Sequence, residues 1–293
     1  MELQPQRTRE IRSSPARAWQ PVRPEGSQQL SDARLQLHHA SQFAAAAGIS
    51  FLDSRPDDGH TSLEWVPGLA GLFSRVIPAH TMFRIGVTPA DLTLAIVTEN
   101  DQPFAHYRLH GRTIIDALAW IRSRVGLLGV DPARYTLKRR YEIPSHPVEM
   151  GDAFDASDKA QFLEVSKWLA NGASVLTSLA RRIHDAGEVR CWPHHFDMTT
   201  VIQATSDRTI GVGFEPGDNF YDEPYFYVNV TPQATAAQAR QRPLWGGGTW
   251  HTSKWVGAVL PGSRLGAASA QEQQVREFID SAVSACRGLA TLS

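Results

Sequence analysis

Chemically active side chains are most concentrated at residues 190–197. The segment Arg190-Cys191-Trp192-Pro193-His194-His195-Phe196-Asp197 places a thiol, two imidazoles and a carboxylate within a few positions. Further acids and two tyrosines follow at residues 215–218 and 222–227. No other part of the sequence combines so many titratable and aromatic groups, so a functional site is predicted here.

A metal site is the first chemistry that these residue types allow. Imidazole and carboxylate are common ligands of zinc and iron, and a His-x-Asp pair on a strand points both groups to one face. A divalent metal is then the candidate cofactor, and its predicted ligands are His194, His195 and Asp197, with Glu223 and His251 to complete the set. The sequence lacks the His-Glu-x-x-His and paired Cys-x-x-Cys spacings of zinc sites. A structural hydrogen bond between His195 and Asp197 explains the same pair.

General acid–base catalysis without a metal is the second chemistry. A histidine beside an aspartate is oriented and made more basic, which is what a general base needs. The predicted catalytic residues under this hypothesis are Asp197, His195, Glu223 and His251. In the competing interpretation the acids around residues 216–219 are solvated, because Pro-Gly-Asp-Asn is typical of turns.

Polar and apolar residues alternate over residues 223–229. The pattern puts Glu223, Tyr225 and Tyr227 on one face of a strand and apolar side chains on the other. Such a face suits a ligand-binding sheet, and it equally suits an ordinary half-exposed sheet. The candidate substrate-binding residues are Trp192, Tyr225, Tyr227 and Trp250.

The elements that must position these residues repeat along the chain. A helix is predicted from Ser31 to Gly48, then strands up to residue 109, and a second helix from Thr113. The same order returns with a long helix from Ser157 to Gly187, strands over residues 189–202, 209–214, 225–230 and 250–260, and a last helix over residues 271–290. The tetrapeptides Arg84-Ile85-Gly86-Val87 and Thr209-Ile210-Gly211-Val212 indicate matching strands.

This order predicts an α+β fold of two similar halves, each a mostly antiparallel sheet flanked by helices. The proline-containing segment 130–156 is the predicted connector. We expect a first half over residues 30–150 and a second half, which carries the candidate site, over residues 151–293. Alternation along a strand over residues 189–202 would put Cys191, His195, Asp197 and Thr199 on one face. Pro193 cannot donate to a sheet, however, and a regular strand that begins after it leaves His194 or His195 in a bend.

Composition narrows the class of protein. Residues 1–29 are rich in Arg, Gln, Pro and Ser and lack apolar periodicity, which predicts a disordered tail without the apolar centre of a secretory signal. The formal net charge of -1 gives no electrostatic attraction to nucleic acid, and no long apolar run predicts a membrane span. With two cysteines, Cys191 and Cys286, a reduced cytoplasmic protein without nucleic-acid or membrane partners is expected.

The order of several motifs resembles a conserved bacterial family of unknown function. The motifs are Leu37-His38-His39, residues 60–65, residues 144–147, Trp192-Pro193-His194-His195-Phe196-Asp197, Glu215-Pro216-Gly217 and Glu223-Pro224-Tyr225-Phe226-Tyr227. The resemblance covers residues 35–260 and is most specific over residues 192–227. Distant relatives in that family keep the Phe-Asp and Pro-Glu-Pro-like pieces but lack the two histidines. The resemblance therefore favours Asp197 and Glu223 over His194 and His195, and it implies no particular activity.

Two classes of function agree with the sequence. The first is a small-molecule enzyme with a His/Asp/Glu site, working by metal-assisted or general acid–base chemistry. The second is a non-catalytic small-molecule-binding or scaffold protein. An enclosed polar site with perturbed carboxylates favours the enzyme, whereas an exposed polar face without a pocket favours the second class. The sequence assigns neither a substrate nor an oligomeric state.

Overall fold

Two antiparallel sheets and five α-helices make up the part of the chain that the computed structural model describes, residues 19–24 and 26–291. This is the α+β fold in two halves that the sequence predicts. No helix within the described residues combines the length and apolar character needed to cross a membrane.

The first helix, α1 (Ser31–Phe51), is buried along most of its length. It packs on the first sheet, where the fully buried run Ala44-Ala45-Ala46-Ala47 lets the helix approach closely. Gly48 does not end the helix, contrary to the sequence prediction. A Cβ there would lie 1.9 Å from the carbonyl oxygen of His60, so this glycine serves close packing instead.

The first sheet is a simple meander in which each strand pairs with the next along the chain. Helix α2 (Ile114–Val125) follows it, and begins with a capping box between Thr113 and Asp116. The strands are β1 (Glu64–Val66), β2 (Gly71–Phe73), β3 (Phe83–Thr88), β4 (Thr93–Thr98) and β5 (Pro103–Arg108).

The predicted connector packs against α1. The side chain of Tyr135 is fully buried, and its hydroxyl donates to the carbonyl oxygen of Phe43 at 2.6 Å. Helix α3 (Lys159–Arg182) follows and is capped by Asp158 rather than by the predicted Ser157. Most buried apolar residues of both halves belong to one continuous core, to which the connector contributes.

The second sheet has the strand order β10-β11-β9-β8-β7-β6. Helices α3 and α5 pack on one of its faces. The strand predicted over residues 250–260 is a hairpin of two short strands. The elements are β6 (Arg190–Trp192), β7 (Asp197–Gln203), β8 (Thr209–Glu215), β9 (Tyr225–Thr231), α4 (Ala236–Arg240), β10 (Thr249–His251), β11 (Gly257–Pro261) and α5 (Gln271–Ala290).

The opening hairpins of the two sheets correspond to each other. In each, a four-residue turn that begins with proline joins the first two strands, residues 67–70 in one and 193–196 in the other. The last turn residue has a positive φ in both, 49° at Ala70 and 69° at Phe196. When the turns are matched, the strand registers pair Gly86 with Gly213 and not with Gly211. The structural alignment therefore differs by two residues from the alignment of the tetrapeptides. A shift of two residues along a strand leaves each side chain on the same face of the sheet.

Residues 19–23 are held against α3 and α5. The backbone of Gln20 bonds both ways with the side chain of Asn171, and Val22 does the same with Gln271. The prediction of a disordered tail over residues 1–29 is therefore wrong for residues 19–23. Side chains of the two helices form hydrogen bonds with the backbone of this segment and so hold it in place. The prediction for residues 1–18 and 25 lies outside the described part of the chain.

We expect Gln271→Ala to lower the free energy of unfolding by roughly 1–3 kcal/mol, because the buried N–H and C=O of Val22 lose their partners. Gln273→Ala, at an exposed position of the same helix, is the matched control. Urea unfolding measures both. Equal effects of the two substitutions would show that residues 19–23 contribute nothing to stability.

Candidate functional site

A tight hairpin, and not a continuous strand, presents the residues that the sequence singles out. Strand β6 ends at Trp192, and β7 begins at Asp197, which pairs directly with Trp192. The turn between them is closed by hydrogen bonds from the N–H groups of His195 and Phe196 to the carbonyl oxygen of Trp192. The predicted shared face of Cys191, His195, Asp197 and Thr199 is therefore wrong, and His195 is exposed at the tip.

Two side chains of helix α1 hold this turn by donating to one of the turn's carbonyl groups. His38 Nε2 and Gln42 Nε2 both donate to the carbonyl oxygen of Pro193, each at 2.8 Å. The ring of Phe196 stacks on the ring of His38, with centroids 5.1 Å apart. Burial lowers the pKa of His38 to about 3, so the imidazole is neutral at physiological pH and acts as a fixed brace.

Polar side chains form a row across the outer face of the second sheet. Trp192 pairs with Asp197, and Glu215 pairs with Tyr225. Continuing the β7–β8 register by one step beyond the pair Met198 and Phe214 brings Asp197 opposite Glu215. Asp197, Glu215 and Tyr225 are all buried, with at most 7% of their surface exposed.

One oxygen of Asp197 is fully engaged. Oδ2 accepts hydrogen bonds from Thr199 Oγ1 at 2.6 Å and from the Tyr227 hydroxyl at 2.5 Å. The second bond requires a glycine at position 213, because the ring of Tyr227 lies directly over its backbone. A Cβ on residue 213 would be only 2.3 Å from Cζ of Tyr227. These two donors stabilise a negative charge on Asp197.

The remaining carboxyl oxygens are buried without a partner among the described residues. These atoms are Oδ1 of Asp197 and Oε1 of Glu215. Burial, and next the charges of Asp197 and Asp218, raise the pKa of Glu215 well above its ordinary value, although Arg34 and the Gly217 N–H oppose the shift. Two opposed acids in one buried place cannot both ionise at low energetic cost, so Glu215 is the member that carries a proton.

The first half of the chain shows that the fold does not require these acids. When the hairpins are matched, Gly71 occupies the position of Asp197, and Thr88 that of Glu215. The outer face of the first sheet instead carries a small apolar cluster around Val66, Phe73 and Val97. The acids are therefore specific to the second half.

An aromatic surface extends from the acids along the same face. Tyr221 lies against Tyr225 at 4.9 Å between ring centroids, and Tyr227 lies against Trp255 at 6.5 Å. His251 stacks on Trp255 at 4.4 Å. The sequence offers Trp255 as a possible pocket-lining residue beside Trp245 and Trp250, but it is not in the predicted substrate-binding set, because its position depends on the hairpin that brings β10 beside β11.

The other predicted catalytic residues have structural partners. Glu223 accepts from the N–H and the hydroxyl of Ser263 at 2.6 and 2.9 Å, and so holds the turn at the end of β11. His251 is within 2.9 Å of the Tyr221 hydroxyl through Nδ1, and its Nε2 donates to the carbonyl oxygen of Ser253. His251 joins the aromatic surface, whereas Glu223 faces Ser263.

The predicted substrate-binding residues are divided between two environments. Tyr225 and Tyr227 lie in the polar row, where the Tyr225 hydroxyl donates to Asp218 Oδ2 at 3.0 Å. Trp192 is half-buried below the guanidinium of Arg190. Trp250 donates its indole N–H to the carbonyl oxygen of Arg242, which anchors the loop before β10.

The predicted metal ligands do not form a ligand set. His194 and His195 pack ring to ring at 4.4 Å, and burial lowers the pKa of His194. Within residues 19–24 and 26–291, no group of three or more His, Cys, Asp or Glu side chains is arranged to hold a metal ion. The set of His194, His195 and Asp197 is thus not assembled.

Comparisons with models of known protein families, with curated proteins and with solved structures gave no match to this chain. The resemblance to a conserved bacterial family, carried by the motifs over residues 35–260, therefore stays a prediction.

The raised pKa of Glu215 predicts how stability depends on pH. Its folded pKa lies above the unfolded value, so the folded state binds the extra proton and wild-type stability falls as pH rises through that interval. Glu215→Gln imitates the protonated acid and should gain stability relative to wild type as pH increases, by at most about 1.4 kcal/mol per pH unit.

Thermal and urea unfolding between mildly acidic and alkaline pH measure this difference. Glu99→Gln, which changes an exposed acid outside the site, is the control and should show no such trend. A Glu215→Gln variant that tracks wild type across the whole pH range would contradict the burial of a protonated acid.

Proposed function

We propose that this protein is a small-molecule enzyme that uses Asp197 and Glu215 for general acid–base catalysis. The observation that carries the proposal is the pair of buried carboxyl oxygens without partners, on residues that the register places opposite each other. Buried polar atoms in native proteins are nearly always hydrogen-bonded, and an unsatisfied one calls for an explanation, of which a catalytic role is one. Of the four such atoms among the described residues, these two are the ones that lie together. The absence of such acids at the matching positions of the first half adds support.

The two acids have different roles in this proposal. Glu215, protonated because of its raised pKa, donates a proton to the atom of the substrate that gains negative charge. Asp197 accepts a proton from a hydroxyl or amine of the same substrate, which leaves one proton on the pair before and after the reaction. Tyr227 holds Oδ2 of Asp197, so that Oδ1 is the oxygen that reacts.

The surroundings favour a hydroxylated or amine-bearing ring compound as substrate. Oδ1 of Asp197 requires a hydrogen-bond donor from the ligand, whereas the protonated carboxyl of Glu215 donates to an acceptor of the ligand, and a hydroxyl group can serve as either. The aromatic surface of Tyr225, Tyr227 and Trp255 offers flat apolar contact for a ring. We propose the metal-independent route because the predicted metal ligands are not brought together in the described residues.

A panel of monosaccharides, nucleosides and phenolic amines tests this proposal, first by thermal shift and then by NMR for conversion of the compounds that bind. Asp197→Asn and Glu215→Gln should retain cooperative unfolding and lower turnover by roughly 10²–10⁴-fold, the usual contribution of a positioned acid or base. Asp152→Asn, at an exposed position, is the control and should keep full turnover.

The non-catalytic alternative gives a different result in the same experiment. A binding or scaffold protein would bind compounds without converting them, and both variants would lose stability in proportion to the lost hydrogen bonds. Turnover that survives both substitutions would equally overturn the assignment of Asp197 and Glu215.

A further inference from the structure

A cleft lies on the opposite side of strands β6 and β7 from the acid pair. This cleft has a volume of about 1120 Å³ and is bounded by β1, β6 and the second half of α3. Its size slightly exceeds the range of about 300–1,000 Å³ that is usual for small-molecule sites. Cys191 and Met198 face the cleft, whereas their neighbours Trp192 and Asp197 face the polar row, because side chains alternate along strands.

The cleft exists because the two sheets touch at one point. Only the bridge between Leu63 and Cys191, with N–H to O distances of 2.8 Å in both directions, joins the edges of the sheets in the described chain. Beside that bridge the edges diverge, and α3 presents the small residues Ala170, Ala173 and Ser174 toward the gap. The resulting floor is apolar and lies between the two halves.

Positive side chains surround this apolar floor. The lining contains two glutamates, Glu64 and Glu188, against five arginines, which are Arg75, Arg84, Arg181, Arg182 and Arg190. Arg181 is exposed and makes no ion pair within the described residues. The other four arginines pair with acids within the described residues: Arg75 and Arg190 with Glu188, Arg84 with Glu64 and Asp101, and Arg182 with Asp280. The positive charge that remains available to an anion at the cleft is therefore that of Arg181.

The arginines of the two halves already converge on a carboxylate. Arg75 from the first half and Arg190 from the second both pair with Glu188 Oε2, at 3.3 and 3.4 Å. The side chains of Arg75 and Arg190 are 36% and 20% exposed, so both guanidinium-bearing side chains are partly accessible to solvent at the cleft. Guanidinium groups recognise carboxylates and phosphates through paired hydrogen bonds.

We propose that this cleft binds a small amphipathic anion. The apolar body of the ligand lies against Trp65, Val76 and Ala170, and its carboxylate or phosphate head pairs with Arg75 and Arg181. Occupation would connect the two halves, since the floor and the arginines come from both. This inference is independent of the proposed catalytic role of Asp197 and Glu215.

Calorimetric titration of the full chain with decanoate, decyl phosphate and decanol, each below its aggregation concentration, tests the proposal. Both anions should bind at one site, and decanol should bind at least about tenfold more weakly, because it lacks charge-assisted hydrogen bonds. The relative affinity of decanoate and decyl phosphate distinguishes a carboxylate ligand from a phosphate ligand.

Matched variants locate the binding. The double variant Arg75→Gln with Arg181→Gln should weaken decanoate binding roughly tenfold or more, whereas Arg287→Gln, an exposed arginine of α5, should not. Ala173→Phe fills the floor and should abolish binding, with Ala160→Phe on the exposed start of α3 as control. Thermal melts identify a variant that has unfolded.

A photoreactive diazirine analogue of decanoate, mapped on the wild-type chain by mass spectrometry, gives a result that needs no variant. Labelling of α3 peptides over residues 170–182 supports the cleft. Absence of anion binding, equal binding of decanol, equal losses in the Arg287→Gln control, or labelling only elsewhere would each overturn the proposal.

Discussion

The burial of two opposed carboxyl groups is the constraint on which the second half of the molecule depends. Taking a single carboxylate out of water costs several kcal/mol unless hydrogen bonds or a proton compensate. For Asp197 the compensation comes from Thr199 and Tyr227, and for Glu215 it comes from the proton that its raised pKa retains. Because Glu215 is protonated, the pair carries one negative charge, and the repulsion between two buried charges is avoided.

Much of the surrounding architecture serves to hold this pair in place. The turn before Asp197 has a residue with positive φ at Phe196, a strained position for a bulky side chain, and α1 fixes it through His38 and Gln42. Arg34 of the same helix donates to the carbonyl oxygen of Gly217 and so holds the loop that follows Glu215. A helix of the first half thereby positions both ends of the site in the second half.

The large features were predictable from the sequence because they depend on local periodicity. Helical spacing and strand alternation indicated the two halves and the α+β class, and the alternation around Tyr225 and Tyr227 is present in β9. Pro193 indicated a bend at His194 or His195, but the tight hairpin itself was not predicted, because Trp-Pro-His-His-Phe contains no glycine or asparagine to indicate a positive φ. Glu215 precedes Pro216 and Gly217, so its sequence context indicated a solvated turn, whereas tertiary packing buries it. No sequence pattern could reveal the cleft, because it results from the divergence of two sheet edges that are distant in the chain.

The titration of the Glu215 side-chain carboxyl carbon, followed by carbon-13 NMR in glutamate-labelled protein, tests the central claim most directly. The account predicts that this resonance titrates well above the ordinary value of 4.5 in the wild type, and that Asp197→Asn moves the midpoint down because a neighbouring charge is removed. A Glu215 resonance that titrates near 4.5, or one that is unaffected by Asp197→Asn, would contradict the coupled acid pair.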